Sequence, residues 1–301
     1  MKYSTPADLG KRPVTVIGAG TLGRRIALMF ATQGAEVRIY DLSAENCKAA
    51  KDYVEAELPK LLAKVPNAVA GTITGLVNMA AAVANAWLII EAIPEKLELK
   101  RTVFGQLDKI APSDAILASN SSSYPTREFI DEVSDEGRLR MVNTHFYMPP
   151  VQNAVEIMSC SFTDAEVLNT LLSTLPKYGL SPFLVRKESV GFIFNRVWAA
   201  IKRESLEVVA EGVSTPEDID KIFMVNTGAP GGPFRLMDQV GLDVVLAIEE
   251  HYAALNPALP VGPRDLLKKY IAAGKLGIKS GEGFYTYTPG SKELVVSQGF
   301  R

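Results

Sequence analysis

Residues 14–41 read VTVIGAGTLGRRIALMFATQGAEVRIYD. The first four, Val14 to Ile17, are apolar and mostly β-branched, the pattern of a buried strand. Gly18-Ala19-Gly20-Thr21-Leu22-Gly23 follows without a break, and Leu22 to Gln33 repeats apolar residues at helical spacing. Gly34 ends that helix, and Glu36 to Tyr40 alternates as a second strand closing on Asp41. A Gly-rich turn alone is common. A Gly-x-Gly-x-x-Gly turn between strand and helix, with an acid ending the next strand, is the fingerprint of a dinucleotide site.

Each part has a mechanical reason. Gly18 permits the tight turn, Gly20 lets the backbone approach a pyrophosphate, and Gly23 lets helix and strand pack closely. Ala19, Thr21 and Leu22 complete a loop whose free N–H groups, with the helix dipole behind them, favour an anion. Asp41 is placed to accept hydrogen bonds from the adenosine ribose hydroxyls. The next residues, Leu42 and Ser43, offer no arginine to a 2′-phosphate. The expected cofactor is therefore NAD rather than NADP.

At 301 residues the chain has length for two domains. With 47% hydrophobic and 22% charged residues it has the composition of an ordinary globular protein, and a net charge of −2 gives no reason to expect nucleic acid or an anionic membrane as partner. The longest apolar run, Met79–Ile90 interrupted by Asn85, is too short for a bilayer. Lys2 is followed by Tyr3-Ser4-Thr5-Pro6, which is not a secretory signal pattern, and Gly299-Phe300-Arg301 is not the usual peroxisomal tripeptide. The two cysteines, Cys47 and Cys160, point to a reducing compartment, so a cytoplasmic location is expected. Two histidines are too few for a His-rich metal site, which also shortens the search for a general base.

Downstream, Ala44 to Lys64 is rich in Ala, Glu, Lys and Leu and predicts a helix that Pro59 should kink or end near Leu58. Gly71 to Ala86 is small and apolar and reads as a second, loosely defined helical region. Buried-strand runs recur at Trp87–Ile90, Ala115–Ala118, Arg140–Thr144 and Phe183–Val185, and Leu97–Ile110 reads as an amphipathic helix. Strands alternating with helices imply an α/β fold with a Rossmann-type, doubly wound parallel sheet. Ligands of such sheets bind beyond the carboxyl ends of strands, where Gly18, Glu95, Ser122 and His145 fall. Near residue 187 the strand signals stop. Gly191–Glu211 is one long helical pattern, and Thr215-Pro216-Glu217-Asp218 reads as an N-cap, a proline at N1 and an acidic first turn. The expected organisation is an NAD-binding domain over residues 1–187 and an all-helical C-terminal domain over 188–301.

His145 follows a strand at the ligand-binding edge, either as a general acid/base for a substrate hydroxyl or as a structural histidine. His251, beside Glu249 and Glu250 in a helical pattern, reads as part of a solvated face. A catalytic imidazole needs an orienting acid. Glu156, between Val155 and Ile157 in a strand-like run, either supplies it or faces solvent. The Ser119–Ser123 run after a buried strand is either simply a flexible loop or one that turns a hydroxyl to the cofactor, and Asn195 is either a core amide or a donor to a substrate carbonyl.

These residues resemble the short-chain L-3-hydroxyacyl-CoA dehydrogenases over essentially the whole chain. The matching stretches are Gly18–Gly23, EAIPE at 91–95, SNSSS at 119–123, His145-Phe146, Val155-Glu156, GFIFNR at 191–196, Gly232–Phe234 and GEGFY at 281–285. The resemblance implies NAD-dependent interconversion of an (S)-3-hydroxyacyl compound and its 3-keto form, with His145 as acid/base and Glu156 orienting it. It further implies that Ser122 and Asn195 hold substrate oxygens, that Glu95, Lys100, Ser122 and Lys279 contact the nicotinamide half of NAD, and that the helical domain makes a homodimer. Three positions depart from the family pattern. Met148 stands where an asparagine is typical, three residues after the histidine. A serine that contacts CoA is here Glu57, a carboxylate where an anionic carrier would bind, although Lys64 matches. Pro59 lies between those two. The leading expectation is a short 3-hydroxyacyl-CoA substrate. The alternative is a free β-hydroxy or β-keto acid or ester, because related enzymes act on β-diketo esters, L-gulonate and carnitine. A non-enzymatic NAD sensor or structural protein would need none of the set His145, Glu156, Ser122 and Asn195.

Overall fold

The computed structural model describes residues 2–65, 67–122 and 124–288. Ser123 and the Gly299-Phe300-Arg301 terminus lie outside them. The chain divides into two compact units after Ile193, a few residues beyond the joint expected at 187.

The first unit is built on one sheet of eight strands: β1 Val14–Ile17, β2 Glu36–Tyr40, β3 Thr72–Leu76, β4 Leu88–Glu91, β5 Ile116–Ser119, β6 Met141–Met148, β7 Gln152–Ser159 and β8 Ser181–Val185, in spatial order β3-β2-β1-β4-β5-β6-β7-β8. β3 through β6 in that order run parallel. β7 is antiparallel to β6, and β8 is parallel to β7, so the last two strands on one side depart from the all-parallel expectation. The reason is the short link between Met148 and Gln152, which allows a hairpin and is far too short for a crossover helix.

Helices cover both faces. α1 (Thr21–Phe30), α2 (Ala44–Leu62) and α6 (Ala165–Thr174) pack on one face through Ile26, Phe30, Val54, Val167 and Leu171. α3 (Met79–Val83) and α4 (Leu97–Ile110) cover the other through Val83, Phe104 and Leu107, and the short α5 (Asp135–Leu139) precedes β6. Central strands such as β1, β4 and β5 are buried at every position, which explains their unbroken apolar sequence.

Two expectations are corrected. α2 does not end near Leu58 but runs through Pro59 to Leu62. Pro59 stands in the last turn, and the carbonyl it leaves without an N–H partner belongs to Glu55, which is exposed and open to water. The region 71–86 is not loosely helical: it holds β3 and only the short α3. β3 is an edge strand with no position fully buried, so it lacks the strong apolar signal of the inner strands.

The second unit is helical: α7 Phe194–Ala210, α8 Pro216–Thr227, α9 Pro233–Val240, α10 Leu242–Leu255 and α11 Gly262–Ala272. Thr215 caps α8, with its hydroxyl accepting from the Asp218 N–H and Pro216 at the first helical position. Leu206, Phe234, Met237, Leu242, Val245, Leu267 and Phe284 form its core. Two buried carboxylates tie it together. Asp220 accepts from the N–H groups of Phe234 and Arg235, and Asp238 accepts from those of Phe284 and Tyr285 and from the Tyr287 hydroxyl. The Gly-Pro-Phe and Gly-Glu-Gly-Phe-Tyr stretches thus supply main-chain donors to acids from α8 and α9. His251 is exposed on α10. No helix among the described residues is long and apolar enough to cross a membrane.

Candidate active site

The strand order reverses between β1 and β4, the point where open α/β sheets bind ligands. Gly18, at φ +109°, follows β1, and a Cβ there would come within 2.6 Å of the Ala92 carbonyl oxygen after β4. A Cβ at Gly23 would run into the Gly18 carbonyl, so helix and loop close only on glycine. At Gly20 a Cβ would meet nothing within 4 Å. Gly20 is also the N-cap of α1, with no side chain satisfying the helix's first N–H groups. Open space in front of unsatisfied main-chain donors is what a pyrophosphate requires.

Asp41, just past β2, accepts from the Ala19 N–H at 3.0 Å through Oδ2, and from the Ser43 N–H at 3.0 Å and Asn46 Nδ2 at 3.1 Å through Oδ1. Burial works against its charge, but the main-chain donors of Ser43 and Ala19 and the Asn46 amide outweigh it and hold the carboxyl below its usual range. Asp41 therefore braces the loop it was expected to complement. Loop, helix terminus and carboxylate together fit NAD.

Beyond β4 and β5 lies a network whose centre the sequence did not single out. Lys100 Nζ sits 2.8 Å from Glu91 Oε1 and 3.1 Å from Glu95 Oε2, with Lys100 and Glu91 shut off from solvent. Ser119 Oγ donates to Glu91 Oε2 at 2.6 Å and Ser121 Oγ to Glu95 Oε1 at 2.6 Å. The Ser122 N–H also reaches Glu95 Oε1, at 3.1 Å. Of the residues expected at the nicotinamide, Glu95, Ser122 and Lys279 are exposed, and Lys100 stands buried behind Glu95. Glu91 could have been found: an acid ending an apolar strand needs a buried cation, and Lys100 follows on the next helix.

β6 and β7 pair so that His145 and Glu156 lie directly opposite. His145 is 5% exposed and Glu156 2%. His145 Nδ1 faces Glu156 Oε2 at 3.6 Å, and Nε2 lies 3.2 Å from Ser122 Oγ. Nδ1 has no hydrogen bond of its own, and Oε2 takes one from the Tyr147 hydroxyl at 2.6 Å. Burial first, then the Glu156 carboxylate, pushes the Tyr147 hydroxyl well above its usual range, so it stays a donor. Glu156 Oε1 accepts from the Ile193 N–H at 2.8 Å.

Phe192 stacks on the imidazole, with ring centroids 4.9 Å apart and planes 15° apart, while Tyr147 meets its edge. Phe192 holds φ at +54°, a strained value for a side chain of this size, following Gly191 at +77°. Period two along β6 puts Tyr147 on the His145 face, a signal present in the sequence; nothing there announced Phe192. In the second unit Asn195, half-buried, is the second residue of α7, and Lys279 pairs with Asp243. Lys64 is exposed just after α2, and Glu57 is engaged by Lys60 at 2.7 Å.

Residues 13–189 match the family model "3-hydroxyacyl-CoA dehydrogenase, NAD binding domain", and residues 191–287 match "3-hydroxyacyl-CoA dehydrogenase, C-terminal domain". A probable 3-hydroxybutyryl-CoA dehydrogenase of Deinococcus radiodurans is 36% identical, covering 90% of this chain and 99% of its own. The 5-formyl-3-hydroxy-2-methylpyridine 4-carboxylate 5-dehydrogenase of Mesorhizobium japonicum is 33% identical over 92% of this chain and 91% of its own. A diketoreductase structure described for dual catalysis of dicarbonyl compounds superposes with TM-score 0.78 at 32% identity, over 92% of this chain and 99% of that one. With both halves matched in order, and a nucleotide loop in which only glycine fits at Gly18 and Gly23, this chain belongs to the 3-hydroxyacyl-CoA dehydrogenase family of NAD-dependent oxidoreductases.

Proposed function

We propose that the protein interconverts a short (S)-3-hydroxyacyl-CoA and the 3-keto thioester. The observation that carries this reading is His145, with Ser122 Oγ on one ring nitrogen and Glu156 facing the other, at the same sheet edge as the Gly18–Gly23 loop. The chemistry supplied by bound NAD is acceptance or donation of a hydride at C3 of the substrate. In oxidation His145 Nε2 takes the hydroxyl proton as the carbonyl forms, and in reduction it returns that proton to the forming alkoxide. Glu156 balances the positive charge this places on the ring, held by the Tyr147 hydroxyl and the Ile193 N–H. Ser122 orients the reacting oxygen towards Nε2. Phe192 covers one ring face and keeps water from it.

A second reading is a free β-keto acid or ester as substrate. Glu57 favours it, because its carboxylate stands on the helix expected to meet the carrier, and the diketoreductase is a neighbour in structure. Rates of NADH oxidation with acetoacetyl-CoA, acetoacetate and a β-keto ester decide between them. Turnover with acetoacetyl-CoA is expected; activity with only the free acid or ester would sink the CoA reading. Tight NADH binding without turnover of any β-keto compound would favour a sensor.

A homodimer through the helical unit belongs to the same reading, supported by the exposed Val213, Ile222 and Val225 there and tested by light scattering. So does a cytoplasmic location, supported by the two unpaired cysteines.

A further inference from the structure

α1 carries two adjacent arginines, Arg24 and Arg25, immediately after the glycine loop. Their guanidinium carbons lie 4.4 Å and 5.8 Å from the centroid of a single ring, Tyr53 of α2. Arg25 Nη1 also donates to the Pro149 carbonyl at 3.1 Å, in the turn just past β6. The Nε of each arginine is closed off from solvent with no acceptor. Among the described residues neither arginine has a carboxylate partner. The acids nearest Tyr53 along α2 are taken by lysines of the same helix: Asp52 by Lys48 at 2.6 Å, Glu55 by Lys51 at 3.7 Å and Glu57 by Lys60 at 2.7 Å. Two positive charges are thus held in place and left uncompensated.

Guanidinium groups fixed on an aromatic face keep their remaining Nη donors for an anion, and a phosphate matches them. Two distances indicate whose phosphate this is. Tyr53 lies ten residues beyond the Ser43 cap, roughly 15 Å along the helix from the Asp41–Asn46 end that serves the ribose. Pro149 lies four residues beyond His145, roughly 13 Å of strand. The carboxylate of a β-keto acid is two bonds from the carbon that reacts, so it cannot span that length from His145. A phosphate at the far end of a long carrier arm can.

We propose that Arg24, Arg25 and Tyr53 form a phosphate station for the carrier arm of the substrate. The proposal rests on the dehydrogenase reading above and adds the group that recognises the carrier, on α1 and not only on α2. It also answers Glu57: that carboxylate is neutralised by Lys60, and the attraction comes from the neighbouring helix.

The test compares acetoacetyl-CoA with acetoacetyl-N-acetylcysteamine, the same β-keto thioester without phosphates, in the Arg24→Gln protein and in the Arg24→Gln/Arg25→Gln double variant. The ratio of kcat/KM for the CoA ester to that for the short thioester is expected to fall about tenfold or more in the double variant. Arg24→Lys should keep part of it, and NADH affinity should stay within about twofold. An unchanged ratio, or an equal loss with both thioesters, would overturn the station. So would a parallel loss of NADH affinity, which would assign the arginines to the cofactor. Calorimetric titration with free CoA separates the two levels. CoA bound by the wild type and lost in the double variant, without turnover of either thioester, would sink the dehydrogenase reading and keep the station. CoA bound equally by both proteins would sink the station.

Discussion

Tyr147 and His145 face the same carboxylate oxygen of Glu156. The tyrosine hydroxyl donates to Glu156 Oε2 at 2.6 Å, and the imidazole Nδ1 faces the same atom at 3.6 Å without a hydrogen bond. Hydrogen bonds around a catalytic base are often long before substrate binds and shorten in the complex. Tyr147 therefore sets how much of the carboxylate the imidazole can draw on as it gains a proton.

Tyr147→Phe removes that donor while keeping the ring that meets His145. Losing one hydrogen bond to a buried carboxylate alters turnover by about tenfold. With that donor gone from Oε2, the carboxylate answers more strongly to the imidazole, and the acid limb of the pH–rate profile for alcohol oxidation should move to higher pH. A profile that coincides with the wild type would mean the tyrosine is only packing.

His145→Gln should lower turnover by roughly 100-fold or more, the scale of losing a general acid/base. NADH affinity, measured by fluorescence titration, should barely change, since the glycine loop and Asp41 lie on other strands. Ser122→Ala should cost less and act mainly on kcat. Wild-type rates in the glutamine variant would refute the assignment of the base.

Asp41→Ala should relax the preference for NAD over NADP and also loosen the loop, because it removes the acceptor of the Ala19 N–H. Asp41→Asn keeps an acceptor and so separates the two effects. The carboxyl is held below its usual range, so its contribution is present above the ordinary value of about 3.9 and is lost as pH falls through the lower, folded value. NADH affinity should accordingly be flat between about pH 5 and 8. Equal use of NADP by the wild type would refute this reading of Asp41.

Lys100→Met strands Glu91, which is fully buried, without its cation. Removing one partner of a buried pair costs about 3–5 kcal/mol, enough to lower the melting temperature by roughly 10 °C. Differential scanning calorimetry of the apoprotein measures it. A melting temperature unchanged from wild type, with weaker NADH binding, would instead make Lys100 a direct cofactor contact.

Much of the first unit is legible because burial on both faces leaves no choice of residue: β1, β4 and β5 are apolar throughout, and only glycine fits at Gly18 and Gly23. β3 was hidden because an edge strand is under no such constraint. α2 was misjudged because a proline in a last, solvated turn costs little. At the site, His145 and Glu156 could be singled out as polar residues at strand positions. Their partners could not be read as easily. Glu91 and Lys100 meet across two elements, and Phe192 reaches the imidazole from a turn whose strained backbone has no sequence signature.

The hairpin that carries His145 and Glu156 works as a ruler. The pair is set by the ladder of main-chain hydrogen bonds and not by the loop, and a slip of one residue would turn the carboxylate to the other face of the sheet. The register already shifts between Phe146 and Met148, on the turn side of the pair, without moving it. Residues can therefore be added or exchanged around the Pro149 turn while proton transfer is untouched. The turn end of this hairpin tolerates change, and the end that handles the proton is locked.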